Sequence, residues 1–313
     1  MSGARATGLV FGWAADAAFG DPARFHPVAG FGRLATAAER IGYRPSRFAG
    51  FAHVVTLVAP TALAAAAADA ATRRRSWSRT AVTGVLMWTV LGGRSLGVVA
   101  GRLADALAAN DIPAARRIGP ALVGRDPAHL DSSELCRAAV ESVAENTADA
   151  VVGPLLWCAI AGPAGAVAYR AINTLDAMIG HRSDRYQRFG WGAARLDDVV
   201  TWPAARLAAG LAVALAPTVD GNRIRTWRVL RRDGARHPSP NAGRLEAAFA
   251  GALDIRLGGT NRYGEQVEHR PQLGDGSRPD VADVRRAVEL SWLIGGVAAL
   301  LCAIVARLRE RRT

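Results

Sequence analysis

Five stretches of this chain are apolar with almost no interruption: 53–71, 80–100, 151–168, 199–216 and 290–306. A helix crosses a bilayer in about 20 such residues, so each stretch predicts a membrane-spanning helix. The last carries no charge and is followed by Arg307, Arg309, Arg311 and Arg312. The first ends near Asp69, the second contains Arg94 and the fourth Arg206. Residues 9–19 form a partial sixth segment. Trp77, Trp202 and Trp292 stand near segment ends, where indole rings anchor at the headgroup level. The pattern predicts an all-α, polytopic membrane protein: one membrane domain over 1–313, with helical loop regions and partly re-entrant segments.

Orientation is harder to reconcile. The basic link Arg73-Arg74-Arg75-Ser76-Trp77-Ser78-Arg79 predicts a hairpin turning in the cytoplasm. With five spans, the loop 217–286 then lies on the other side, yet it carries Arg223, Arg225, Arg228, Arg231, Arg232 and Arg236. The charge rule weakens for loops longer than about 60 residues. Re-entrant segments around a cavity would also relieve the conflict.

Composition narrows the chemistry. The chain has 313 residues, 50% of them hydrophobic, and 39 basic against 27 acidic residues give a net charge of +12. Half the residues can drive burial, which excludes a disordered chain. Long apolar runs argue against a basic nucleic-acid binder. Every basic residue is Arg and none is Lys, which removes a P-loop lysine and a Schiff-base lysine. Cys136, Cys158 and Cys302 are far apart, so neither a disulfide framework nor a Cys-rich zinc site is expected.

Polar clusters punctuate the apolar runs. Gly20-Asp21-Pro22 with His26-Pro27-Val28 holds an acid and an imidazole on a proline-stiffened loop, or simply caps the next helix. Glu141, Glu145 and Asp149 recur every fourth residue beside Asn146, a stripe of like charges that calls for a metal, another cation or an arginine. Hard oxygen ligands favour Mg²⁺ over zinc. Tyr169-Arg170 precedes Asn173 and Asp176, which share a helix face, and Gly180 predicts a C-terminal cap before His181-Arg182. Arg195-Leu196-Asp197-Asp198 enters the fourth run; adjacent acids point about 100° apart, so one would bind metal while the other pairs with Arg195. His237-Pro238-Ser239-Pro240-Asn241-Ala242-Gly243 displays His237, Ser239 and Asn241 on a rigid backbone. Gly258-Gly259 lets amides approach an anion. An Mg²⁺-dependent intramembrane prenyltransferase would have two aspartate-rich motifs, and only Asp197-Asp198 qualifies. A membrane sensor would not need this density of polar clusters.

In order and in detail, these motifs resemble the CobD/CbiB family of cobalamin biosynthesis, the adenosylcobinamide-phosphate synthases. Glu145-Asn146 with Asp149 and Pro154-Leu155, Asn173-Thr174-Leu175-Asp176, Ala194-Arg195-Leu196-Asp197-Asp198 with Pro203-Ala204 and Arg206, and the His237–Gly243 motif all stand in family order. Thr201-Trp202 departs from an expected Asn-containing stretch. The AmpE-like membrane proteins linked to β-lactamase regulation look similar in outline and are the runner-up. The resemblance implies a multi-pass protein of the cell membrane that uses ATP and Mg²⁺. It would join a propionate carboxylate of the corrinoid adenosylcobyric acid to (R)-1-aminopropan-2-ol O-phosphate. Glu145, Asp149, Asp197 and Asp198 would hold Mg²⁺–ATP, with His237 or His26 as base and Asp176 and Asn173 alongside in catalysis. Arg182, Arg195, Ser239, Asn241, Gly258, Gly259 and Asp21 would bind substrate and its phosphate. The partners implied are these substrates, the lipid bilayer and other late cobalamin-pathway membrane enzymes, with no nucleic acid.

Overall fold

A computed structural model describes residues 3–21, 26–122, 130–181, 183–263 and 266–311. The helices, in chain order, begin with α1 (Ala4–Phe19), α2 (Pro27–Gly42), α3 (Arg47–Thr72), α4 (Ser76–Val90), α5 (Gly93–Ala108) and α6 (Ile112–Ile118). Next come α7 (Ser132–Asn146), α8 (Gly153–Leu175), α9 (Tyr186–Phe189), α10 (Trp191–Leu215), α11 (Arg223–Asp233) and α12 (Ala242–Leu253). A hairpin of β1 (Leu257–Tyr263) and β2 (Gln266–Leu273) precedes α13 (Val281–Glu310).

All five apolar stretches lie inside longer helical runs: Arg47–Thr72, Ser76–Ala108, Ser132–Gly180, Trp191–Val219 and Val281–Glu310. The shortest has 26 residues, about 39 Å of helix, against a hydrocarbon core of about 30 Å. Leu63, Val85, Val199, Leu300 and Ile304 point outward from these runs and are exposed, as side chains facing lipid must be. The chain is an all-α polytopic membrane protein, with one small hairpin as its exception.

The chain separates into two compact units. The first comprises Met1–Gly92, Asp149–Ala204 and Ala298–Thr313; the second comprises Gly93–Ala148 and Ala205–Val297. In the first unit, α1 lies against α4 at a glycine seam. A Cβ on Gly8 would fall 2.6 Å from Thr83 Cβ, and one on Gly12 would fall 2.3 Å from Met87 Cβ. This is the small-residue contact that lets membrane helices approach closely. The acid that interrupts the first apolar stretch is also accounted for: Asp69 is buried and paired with Arg5 and Arg79. Arg5 and Arg79 also reach Glu310 near the end of α13. Pairing of this kind is what permits ionised groups near a bilayer. A cluster of Val54, Leu57, Leu175, Ile179 and Phe189 forms a core around α3 and α8. Helix α8 is kinked where Gly162 takes φ 72° before Pro163.

In the second unit, α12 is buried on every side except at Arg244. A helix enclosed all round carries no amphipathic signature. A Cβ on Gly251 would sit 2.7 Å from Thr226 Cα, so α11 crosses α12 at that glycine. Helix α7 starts with a reciprocal capping box between Asp131 and Glu134. The arginines of the 217–286 loop are largely engaged: Arg225 with Asp254, and Arg232 with Asp233 and Asp275. Arg236 also reaches Asp233. The conflict over that loop's charge therefore concerns a folded, partly neutralised segment, not a free basic strand.

Candidate functional site

In the first unit, three of the sequence motifs meet in one polar network among spanning helices. Asn173 Nδ2 donates to Asp197 Oδ1 at 3.2 Å, and Thr201 Oγ1 reaches the same oxygen at 3.4 Å. Thr201 Oγ1 also lies 3.1 Å from the Tyr169 hydroxyl, and Arg170 donates to Asn173 Oδ1 at 3.3 Å. Asp197, Thr201 and Tyr169 are buried. Asp149 acts electrostatically on the same tyrosine. The chain from Arg170 through Asn173 to Asp197 couples a guanidinium to a carboxylate through one amide. Thr201, the departure from the expected pattern, is a working member of the network.

Two of the acids stand on widened helical turns. Asp149 belongs to a π-helical segment, Thr147–Val152, and Asp176 opens another, Asp176–Gly180. Such turns rotate side chains off the regular register and recur at functional sites. Gly180 does not serve as a left-handed cap. A Cβ there would meet Asp176 Oδ1 at 1.8 Å, so glycine is needed to seat that carboxylate. Asp198 pairs with Arg195 at 3.6 Å on the exposed side of α10, as the 100° separation from Asp197 requires. Arg182 lies outside the described residues, as does 22–25 in the first motif.

The two His-Pro motifs fold alike. In the first unit His26 Nδ1 accepts the Val28 amide at 3.1 Å, capping α2, while Nε2 faces Asp21 at 3.6 Å. In the second unit His237 Nδ1 accepts the Ser239 amide at 3.0 Å, and Nε2 faces Glu246 at 3.7 Å. An imidazole whose Nδ1 accepts carries its proton on Nε2. Both rings are therefore oriented as turn-formers: His26 caps α2, one of the two readings of its motif, whereas His237 turns inward where the prolines predict display. The polar side chains of the second motif turn to the protein as well, while Pro238 and Pro240 stay exposed. Ser239 Oγ accepts the Asn241 and Ala242 amides at 3.3 and 3.1 Å, and buried Asn241 accepts from Arg206 at 2.9 Å. A Cβ on Gly243 would fall 2.2 Å from His237 Cβ.

The second unit also resolves the acid stripe. Buried Glu141 accepts the Gly258 amide at 2.8 Å and Arg137 Nη1 at 3.4 Å. Arg137 also donates to the Gly258 carbonyl. Arg270 acts electrostatically on Glu145. For Glu141 the cation that the stripe calls for is Arg137. Gly258 takes φ 78°, and a Cβ there would sit 2.1 Å from the Pro271 carbonyl oxygen, so the glycine is obligatory. Its amide is committed to Glu141 and not open to an anion. Beside it lies a cavity of about 400 Å³, lined among others by Ser133, Arg137, Arg256, Gly259 and Arg278. Arg137, Arg256 and Arg278 escaped the sequence reading because they belong to no dense motif. The only signal for them was the absence of lysine. Among the described residues no three His, Cys, Asp or Glu side chains converge as a metal cage. The acids present suit an Mg²⁺ that arrives on nucleotide phosphates, which takes about one or two protein carboxylates, better than a resident ion.

A family model for the CobD/CbiB protein matches residues 9–291. This chain belongs to the CobD/CbiB family. It is 53% identical over 301 residues to the cobalamin biosynthesis protein CobD of Mycobacterium tuberculosis, covering 96% of each chain. It is 41% identical over 296 residues to the protein of that name from Geobacter metallireducens, covering 93% of each. The Rhodobacter capsulatus protein of that name is 40% identical over 292 residues, with 89% of this chain and 91% of the relative covered. No solved structure matches the chain. The matched residues of this CobD/CbiB-family chain take in all of its polar clusters.

Proposed function

We propose that this CobD/CbiB-family protein works in cobalamin biosynthesis at the cell membrane. There it joins a propionate carboxylate of adenosylcobyric acid to (R)-1-aminopropan-2-ol O-phosphate at the cost of ATP, giving adenosylcobinamide phosphate. The observation that carries the proposal is the family match over residues 9–291, which takes in every motif feeding the Asp197 network. A carboxylate is a poor acyl donor, so one of its oxygens would first take the γ-phosphoryl group of ATP, the β–γ anhydride bond breaking and ADP leaving. The amine then attacks the carbonyl carbon as the free base, a C–N bond forms, and phosphate leaves with the C–O bond. Mg²⁺ bound with ATP would neutralise charge on the phosphates during transfer. Asp149 and Asp197 in the first unit are the carboxylates assigned to it, with Asn173 and Arg170 holding Asp197 in place. Glu145 in the second unit is assigned to Arg270 instead. Because both imidazoles are held in turns, His26 and His237 are assigned to positioning their loops, and Asp176 to the amine.

A strain lacking this chain tests the proposal. Under conditions that require the vitamin, it should grow with cobinamide and fail with cobyric acid. Growth on cobyric acid, with no second copy present, removes the ligase. A change in β-lactamase induction would point instead to the sensor reading, and loss of a prenylated product to a prenyltransferase.

A further inference from the structure

The cavity in the second unit has the charge and the size for a small anion. Its wall places three guanidinium groups, Arg137, Arg256 and Arg278, around about 400 Å³ at the first turn of α7. Ligand pockets run from about 300 to 1,000 Å³, so this one suits a small phosphate ester and is too small for a corrin ring. Of the carboxylates nearby, Glu134 also lines the cavity and Glu141 pairs with Arg137, so the uncompensated positive charge is that of Arg256 and Arg278. Glu134 accepts the Asp131 amide at 2.9 Å in the capping box, and Glu141 is tied to Arg137 and the Gly258 amide. No described carboxylate pairs with Arg256 or Arg278. The α7 N-terminus adds positive potential to the same wall. Gly259, at φ 92°, would have nothing within 4 Å of an added Cβ, which leaves that side open. Guanidinium forks match the oxygens of phosphate in pairs, and a chain without lysine must meet phosphate charge this way.

We propose that Arg137, Arg256 and Arg278 form a phosphate-ester site in this cavity, with Glu141 holding Arg137 and the Gly258 turn in register. The identity of the ester rests on the function proposed above: it is either the phosphate of the amine substrate or the phosphates of the nucleotide. The site is contained within one unit and needs neither the Asp197 network nor turnover.

The test is equilibrium binding to full-length protein in detergent, by calorimetry, with aminopropanol phosphate, aminopropanol without phosphate, and ATP. The parent protein should bind aminopropanol phosphate and not aminopropanol. Arg256→Gln and Arg278→Gln should each weaken it about ten-fold or more, as loss of a charge-assisted contact does. Arg278→Lys should recover part of the loss, and an unchanged thermal unfolding curve shows that the variants fold. A loss confined to ATP assigns the same site to nucleotide phosphate. Undiminished affinity for both esters in both variants overturns the site, as does a parent protein that binds neither. Phosphate binding here with normal growth on cobyric acid in the deletion strain would retire the ligase while leaving the site standing.

Discussion

Glu141 distinguishes a structural clamp from a metal ligand. Its Oε1 accepts the buried Gly258 amide at 2.8 Å and faces Arg137 at 3.4 Å, so Glu141→Ala removes a charge-assisted hydrogen bond and strands a buried donor. Hydrogen bonds to charged groups contribute about 1.5–3 kcal/mol, and an unsatisfied buried donor costs about 1–3 kcal/mol. Local opening of the Gly258 turn should therefore become easier by about 3 kcal/mol, or about a hundred-fold in the open population. Glu141→Gln keeps an oxygen in place to accept the amide and loses only the charge, so it should cost about 1 kcal/mol. Hydrogen exchange at the Gly258 amide in detergent-solubilised protein reads both values directly. An order near parent, Gln, then Ala supports the clamp. Equal damage from Gln and Ala, with a raised Mg²⁺ requirement, would show that charge on a metal is what matters and would refute the reasoning. Parent-like exchange in the Ala variant would refute it as well.

Two further outcomes follow from the packing and the charges. Gly12→Leu, which drives a side chain into Met87 on α4, should lower thermal stability in detergent by several degrees, whereas Gly42→Leu, in open space, should not; equal stability would dissolve the glycine seam. Burial pushes the Asp233 carboxyl up, but the Arg232 guanidinium and the Gly274 amide outweigh it and hold the group below its usual 3.8. A depressed folded value adds stability that is complete above the unfolded value and is lost as pH falls through the folded one. Acid unfolding followed by tryptophan fluorescence should therefore be less steep below pH 3.8 in Asp233→Asn, and an unaltered profile would show that the pair contributes nothing.

The spanning helices were legible because length and apolar content alone report what a bilayer demands, and all five stretches fall inside the helical runs. Elements that answer to the rest of the protein were not. Helix α12 is buried almost all round, so it presents neither an amphipathic stripe nor a membrane-length run. The hairpin was hidden behind Gly258 and Gly259, which read as a phosphate loop. Only the 2.1 Å approach to the Pro271 carbonyl reveals the close strand pairing that makes Gly258 necessary. Asp69 looked like a blemish in an apolar helix because its partners Arg5 and Arg79 come from other helices.

The site shows the same division between near and far in sequence. Spacing rules find residues that share a regular helix face, which covers Glu141 and Glu145 on α7 but not Asp149 on its π-helical turn. They cannot say what faces that side of the helix. Glu141 finds Gly258 at a separation of 117 residues, and Asn173 finds Asp197 across 24. The His-Pro motifs mislead for a related reason. Proline next to the capping residue and an imidazole that accepts the amide at i+2 produce a rigid turn, and rigidity reads in sequence as display. The backbone geometry makes it enclosure: Ser239, Asn241 and Gly243 are all consumed in seating His237 and starting α12. A dense motif therefore marks where the chain is most constrained, and in this unit the side chains left to meet an anion are the scattered arginines around it.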